Sequence, residues 1–169
     1  MNNILAYFLT WTTYGTWLPG DERNWVDRHH LSTTPAIQPP NPQLQAYART
    51  MLKEEPVILS HTMRNTVRDA LLGCCKNYSW HIHALTVCSN HIHIVLTAPD
   101  VQPSKAMGIL KVSATKSLNH LRTAPTRKHW WTRSGNKRVL PSPHDLDAAI
   151  QYVDNQHLTS PRHRLGAIE

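Results

Sequence analysis

An α+β fold, one mainly antiparallel sheet with helices packed on it, is what the amino-acid sequence predicts. Three observations carry this. Stretches rich in β-branched and aromatic residues alternate with stretches whose apolar residues recur every three or four positions, in the order β, α, β, β, α, β, α. Two of those strands are separated by only Ser89 and Asn90, which makes them an antiparallel hairpin. Apolar residues make up 40% of 169 residues, enough to fill one core and too many for a disordered chain.

The elements follow in order. Residues 4–13 read as a buried strand, stopped by Gly15, Pro19 and Gly20. Residues 21–42 are mostly polar and carry Pro35, Pro39, Pro40 and Pro42, so a long surface loop is expected there. Asn41 is a good cap for a short helix over 42–53, which Pro56 ends. Ser60 caps a helix reaching about residue 78, with Met63, Val67, Ala70, Leu71 and Cys74 on one stripe. The hairpin strands span 80–88 and 91–98. A further helix over about 104–121 buries Met107, Leu110, Ala114, Leu118 and Leu121. Residues 123–135 form a basic loop containing Trp130 and Trp131, and 137–140 a short strand. Ser142, Pro143 and Asp145 announce the last helix, as cap, first-turn proline and an acid suited to the helix dipole; it runs to about residue 157. The expected organisation is one domain over 1–160, with a surface insertion at about 20–56 and a short tail over 161–169.

Charge suggests a partner. Lys and Arg total 18 against 11 Asp and Glu, a net charge of +7. No acid occurs between Val101 and His144, yet that stretch holds nine basic residues: Lys105, Lys111, Lys116, Arg122, Arg127, Lys128, Arg133, Lys137 and Arg138. A phosphate backbone would dock there if these residues share a face; a merely solvated basic surface is the plainer alternative. Cys74, Cys75 and Cys88 are odd in number and lack the C-x-x-C spacing, which fits a reduced, cytoplasmic protein. The N-terminus carries no signal-peptide pattern and no apolar run approaches a membrane span, so no membrane partner is expected. A Walker-type G-x-x-x-x-G-K is absent, so no nucleotide-triphosphate site of that type is indicated.

Two constellations carry chemistry. His91-Ile92-His93 opens a strand, where alternation puts both imidazoles on one face and Ile92 and Ile94 on the other. Two imidazoles on one face can share a cation, though His81-Ile82-His83 has the same form and a four-histidine zinc site is a rival. Tyr152 and Gln156 lie four apart on the last helix, hence on one side of it, while Ile150 and Val153 turn to the sheet. An amide oxygen can complete a metal shell, and a phenol beside it can serve as nucleophile. A half-buried aromatic on an amphipathic helix is the ordinary alternative for Tyr152. His30-Leu31-Ser32 and His157-Leu158-Thr159 have the H-x-Ser/Thr form of a phosphoesterase motif, but they fall in the long loop and at a helix end.

The segment A-L-T-V-C-S-N-H-I-H-I-V-L, residues 84–96, resembles the signature of the HUH endonucleases. More narrowly, the chain resembles the single-tyrosine transposases of simple insertion sequences and the REP-associated tyrosine transposases. Asn90, His91 and His93 match the usual A-x-x-V-M-P-N-H-x-H, whereas Cys88 and Ser89 replace its Met and Pro. Tyr152 and Gln156 match a tyrosine followed four residues later by an Asn or Gln ligand. Trp131-Thr132-Arg133 is similar to the family's tryptophan and basic loop, and residues 11–21 to the opening of a subgroup with an insertion after its first strand.

The resemblance implies a ferredoxin-like, RRM-like sheet with the His pair on a central strand and the catalytic tyrosine, Tyr152, on a C-terminal helix. It implies that His91, His93 and Gln156 bind Mg²⁺ or Mn²⁺, with Asn90 and His83 in supporting positions. It implies a metal-dependent endonuclease and strand transferase that cleaves single-stranded or hairpin DNA through a 5′-phosphotyrosine and rejoins it without ATP. The basic residues from Lys105 to Arg138 would hold the backbone, and Trp130 or Trp131 would stack on bases. A prokaryotic cytoplasm, on the nucleoid, is the expected location, and a homodimer is compatible with all of this. Two other readings share the scaffold: a non-cleaving protein that binds DNA hairpins or RNA, and a metal-dependent nuclease that activates water.

Overall fold

The computed structural model describes residues 4–26 and 37–159, with side chains as far as Gln156. Four strands form an antiparallel sheet in the order β4-β5-β1-β6: His81–Val87, His91–Thr97, Ala6–Thr12 and Asn136–Leu140. The first strand of the chain is therefore central, which fits its alternating apolar character on both faces. The predicted hairpin is β4–β5, closed by Cys88 N–H donating to the His91 carbonyl at 2.9 Å.

Register decides which residues share a face. Across β1 and β5, Leu9 pairs with Ile94 and Trp11 with Ile92, whereas Thr10 pairs with His93 and Thr12 with His91. The Leu9, Trp11, Ile92 and Ile94 face is covered by α2 (His61–Asn77) and α3 (Pro103–His120). Their stripes, Met63, Val67, Leu71 and Cys74 on one helix and Met107, Leu110, Ala114 and Leu118 on the other, complete the main core. The opposite face carries α4 (Pro143–Thr159), whose Ala149 and Val153 pack on Ala6, Ala84, Val95 and Leu140. The Thr86 hydroxyl donates to the Val153 carbonyl at 3.1 Å and fastens α4 to β4.

Caps lie where expected. Ser60 Oγ accepts Met63 N–H at 3.3 Å, and Ser142 Oγ accepts Asp145 N–H at 3.2 Å. Asn41 Oδ1 accepts Leu44 N–H at 3.0 Å and starts α1 (Pro42–Thr50), which ends three residues before the predicted 53. The stretch over 21–42 is not wholly irregular: β2 (Trp25–Val26) pairs antiparallel with β3 (Ile37–Gln38). His30-Leu31-Ser32 and the tail after Pro161 lie outside the described residues, as do the side chains of His157-Leu158-Thr159. No helix among the described residues is long and apolar enough to cross a membrane.

Candidate metal and nucleophile site

The face under α4 collects the candidate groups. His93, 6% exposed, and His91, half-buried, stand side by side with ring centroids 4.8 Å apart. Each ring is held through Nδ1. The Asn90 side-chain carbonyl lies 2.7 Å from His91 Nδ1, and a carbonyl oxygen can only accept, so that nitrogen carries the proton. Thr10 Oγ1 lies 2.8 Å from His93 Nδ1 and can accept in the same way. Both Nε2 lone pairs are then left for a ligand, which is how metal-binding histidines are commonly oriented. Burial depresses the pKa of both rings. For His91 the positive charge of Arg23 adds to the effect; His93 is pushed down to about 4, by burial first and by His91 second. Neutral imidazoles are the state a cation requires.

Tyr152 comes to this pair from α4. Its ring centroid is 5.5 Å from that of His93, nearly edge-on at 85°, and 5.8 Å from Phe8. Phe8 in turn lies 5.7 Å from His93, so the two strand residues and the tyrosine form one aromatic cluster. Tyr152 is 50% exposed, which leaves it open to a large substrate. Gln156 is half-buried one turn further along the same side of α4. Among the described residues no three His, Cys, Asp or Glu side chains gather as a metal site. A third ligand from a neutral amide, as Gln156 would supply, fits that donor set.

Phe8 and Thr10 were not legible as site residues from the sequence. Alternation places both on one face of β1, but only the register with β5 shows that this is the histidine face.

Other sequence candidates are redistributed. His83 bonds Thr97 Oγ1 at 2.9 Å, at the far end of the hairpin from His91. Thr86, not His83, is opposite His93, and three residues of strand put His83 roughly 10 Å away along the sheet. His83 is thus no support for the His91–His93 pair, and the two H-x-H triplets do not merge. Trp130 is only 2% exposed and its indole N–H donates to Asn119 Oδ1 at 2.7 Å, so it is core and offers no face to a base. Trp131 is half-buried, edge-on to Trp11 at 6.3 Å and bonded to Thr115 Oγ1.

The nine basic residues do not make one track. Lys105 and Lys116 line a groove between α2 and α3, on the face away from Tyr152. Lys111 Nζ donates to the carbonyls of Thr132 and Ser134 at 2.8 and 3.1 Å. Arg127 donates to the carbonyls of His129 and Glu55 and lies over the Trp130 ring at 5.4 Å. Both serve the fold of the loop. Arg138 pairs with Asp145 at 3.0 Å. Arg122, Lys128, Arg133 and Lys137 are exposed. Thr132 brings the loop to the histidine end of β1: its Oγ1 is 3.2 Å from Thr12 Oγ1, and Thr12 pairs with His91. Gly135 permits this approach, because a Cβ there would collide with the Thr10 carbonyl oxygen.

The fold is similar to that of a solved transposase. The REP-associated tyrosine transposase solved bound to a REP hairpin superposes over 99% of this chain and 72% of its own, with a TM-score of 0.55 at 13% identity. A Deinococcus radiodurans R1 protein assigned as a transposase matches over 90% of this chain and 91% of its own, at 17% identity and a TM-score of 0.48. No curated protein sequence matches significantly. The family model described as IS200-like transposase covers residues 44–156, which include His91, His93, Tyr152 and Gln156. The chain belongs to the family of IS200-like transposases.

Proposed function

We propose that this transposase-family chain nicks and rejoins single-stranded or hairpin DNA, with Tyr152 as the nucleophile and His91, His93 and Gln156 as ligands of Mg²⁺ or Mn²⁺. The observation that supports this best is the approach of Tyr152 to His93 from a different element, 5.5 Å between ring centroids, with the tyrosine half open to solvent. A cation bound there would draw charge from a scissile phosphate and orient it. The chain's own residues do the rest. Asn90 and Thr10 hold both imidazoles through Nδ1, which leaves their Nε2 atoms for a ligand, and Phe8 and the α4–β4 contact fix the tyrosine. The phenolic oxygen attacks phosphorus and loses its proton; the bond from phosphorus to the 3′ oxygen breaks, and that oxygen leaves as a hydroxyl. The phosphotyrosine conserves the energy of the broken bond. A 3′-hydroxyl can then attack it, releasing the tyrosine and joining DNA without ATP. REP-hairpin binding by the structural neighbour favours a hairpin substrate.

The test is incubation of the protein with panels of single-stranded hairpin DNA and Mn²⁺, followed by a denaturing gel. Wild type should yield a covalent protein–DNA adduct. Tyr152→Phe should yield none while binding the same DNA nearly as well, since only a hydroxyl is lost. An adduct retained by Tyr152→Phe refutes the nucleophile. Tight binding with no adduct from wild type would favour a non-cleaving hairpin-binding protein, and cleavage without an adduct a water-using nuclease.

A further inference from the structure

The segment after β1 builds a fixed arginine that is linked through Thr16 to Asn90, the neighbour of His91. Gly20 has φ of 87°, and a Cβ on it would collide with the Asn41 carbonyl oxygen, so the corner at Pro19-Gly20 packs directly on the start of α1. The Asn41 amide donates to the Gly20 carbonyl at 2.9 Å, and Gln45 Nε2 lies 3.3 Å from Asp21 Oδ2. Asp21 is thereby buried, 4% exposed, though it is a carboxylate. Its partner is Arg23: Nε reaches Oδ1 at 2.6 Å, and Nη2 reaches Oδ2 at 2.8 Å and the Thr16 carbonyl at 2.8 Å. The guanidinium stacks on Trp17, 4.8 Å from the ring centroid, and the Trp17 indole N–H is tied to the Asn24 carbonyl at 3.0 Å.

Of the five N–H bonds of a guanidinium, three are used in this way. The two on Nη1 have no partner among the described residues, and the Arg23 side chain is 44% exposed. Thr16 also connects this arginine to the site: its hydroxyl lies 3.3 Å from the carbonyl oxygen of Asn90, the residue that orients His91. Asp21 is buried while the Arg23 side chain stays 44% exposed, so the ion pair turns its positive member toward solvent. A guanidinium made rigid by a buried carboxylate, with a free donor edge and an exposed indole against it, is suited to a nucleotide: the edge to a phosphate and the ring to a base.

We propose that Arg23 and Trp17 form a nucleotide-binding subsite that holds the DNA strand next to the scissile phosphate, with Arg23 Nη1 on a backbone phosphate and Trp17 stacked on a base. This rests on the DNA-cleaving reading above and adds to it two positioning residues from the segment that follows β1. The Tyr152→Phe protein in EDTA, which binds without chemistry, is the parent for the test. Its affinity for a fluorescein-labelled oligothymidylate of about 12 nucleotides is measured by anisotropy over a salt series. Arg23→Gln should weaken binding about tenfold at roughly 100 mM salt and lower the log–log salt slope by about 0.7, the loss of one single-strand phosphate. Arg23→Lys should restore the slope but not the affinity, because it returns the charge without the fork. Trp17→Leu should weaken binding with the slope unchanged. Melting temperatures are recorded alongside, and if Arg23→Gln does not fold, Trp17→Leu and Arg23→Lys decide. A parent-like slope and affinity in folded Arg23→Gln, or parent-like affinity in Trp17→Leu, overturns the subsite while the cleavage reading stands. No binding by the parent overturns both.

Discussion

Replacing Thr10 by Val tests whether the histidine pair is a metal site. The two side chains have nearly the same shape, so the strand and its pairing with β5 should persist. What is lost is the oxygen 2.8 Å from His93 Nδ1. In the metal-free protein the cost should be about 1 kcal/mol, the net value of one hydrogen bond, because the ring can change tautomer. With metal bound no such escape exists. Nε2 is then the ligand, Nδ1 must keep its proton, and His93, 6% exposed, has little water to offer that proton. Loss of a partner of this kind typically weakens metal binding by about 10- to 100-fold. Calorimetric titration with Mn²⁺ on wild type, Thr10→Val and Thr10→Ser measures it, with Thr10→Ser expected near wild type because it keeps the hydroxyl. Mn²⁺ affinity of a folded Thr10→Val within about twofold of wild type would refute the metal role given to His93, since such partners rarely count for so little.

Two further outcomes follow from the sheet register and from burial. His91→Ala should lower Mn²⁺ affinity far more than His81→Ala: His91 lies opposite Thr12 and His81 opposite Thr97, at the two ends of β5. Equal losses in the titration would restore the four-histidine site. Cys74, Cys75 and Cys88 are buried, and desolvation raises all three thiol pKa values, that of Cys75 to about 12 with Cys74 adding to the effect. A thiol-disulfide reagent should therefore label the native protein roughly a hundredfold more slowly than the unfolded one; rapid labelling of the native form would contradict this core.

Local signals made the elements legible. Ser60, Asn41 and Ser142 cap as their side chains dictate, and the Ser89-Asn90 turn permits only a hairpin. His91 and His93 share a face because alternation in a strand is geometric. The sequence does not show which strand lies against that face. That β1 brings Thr10 and Phe8 there, and that α4 crosses on the same side, depends on register and packing between residues far apart in the chain, Thr10 with His93 and Phe8 with Tyr152. The Asp21–Arg23 pair is illegible in the sequence for a similar reason: in a polar, proline-bearing stretch a charged pair looks solvated, and the contact of Gly20 with α1 is what buries the carboxylate. Trp130 failed as a stacking residue because an indole in a basic loop reads the same whether it faces bases or the core.

The basic loop shows why charge count alone misjudges an interface, and it permits a sharper prediction. Arg127 and Lys128 are neighbours, yet they do different work. The Arg127 guanidinium is spent on two backbone carbonyls, at 2.9 and 2.6 Å, and on the Trp130 ring. The Lys128 backbone amide is held by Glu54 at 2.9 Å, which leaves its side chain exposed; Arg133 is exposed beside Thr132, near the histidine end of β1. Arg127→Ala should therefore destabilise the protein by about 1–3 kcal/mol through lost hydrogen bonds and stacking, with the salt dependence of DNA binding unchanged. Lys128→Ala with Arg133→Ala should leave stability within about 0.5 kcal/mol and reduce the log–log salt slope by about 1.4, two single-strand phosphates at ~0.7 each. Thermal melts and anisotropy salt series on the two proteins separate the cases. A lower slope in folded Arg127→Ala would mean that its guanidinium leaves those carbonyls for phosphate when DNA binds; an unchanged slope in the double variant would exclude the loop from the DNA track.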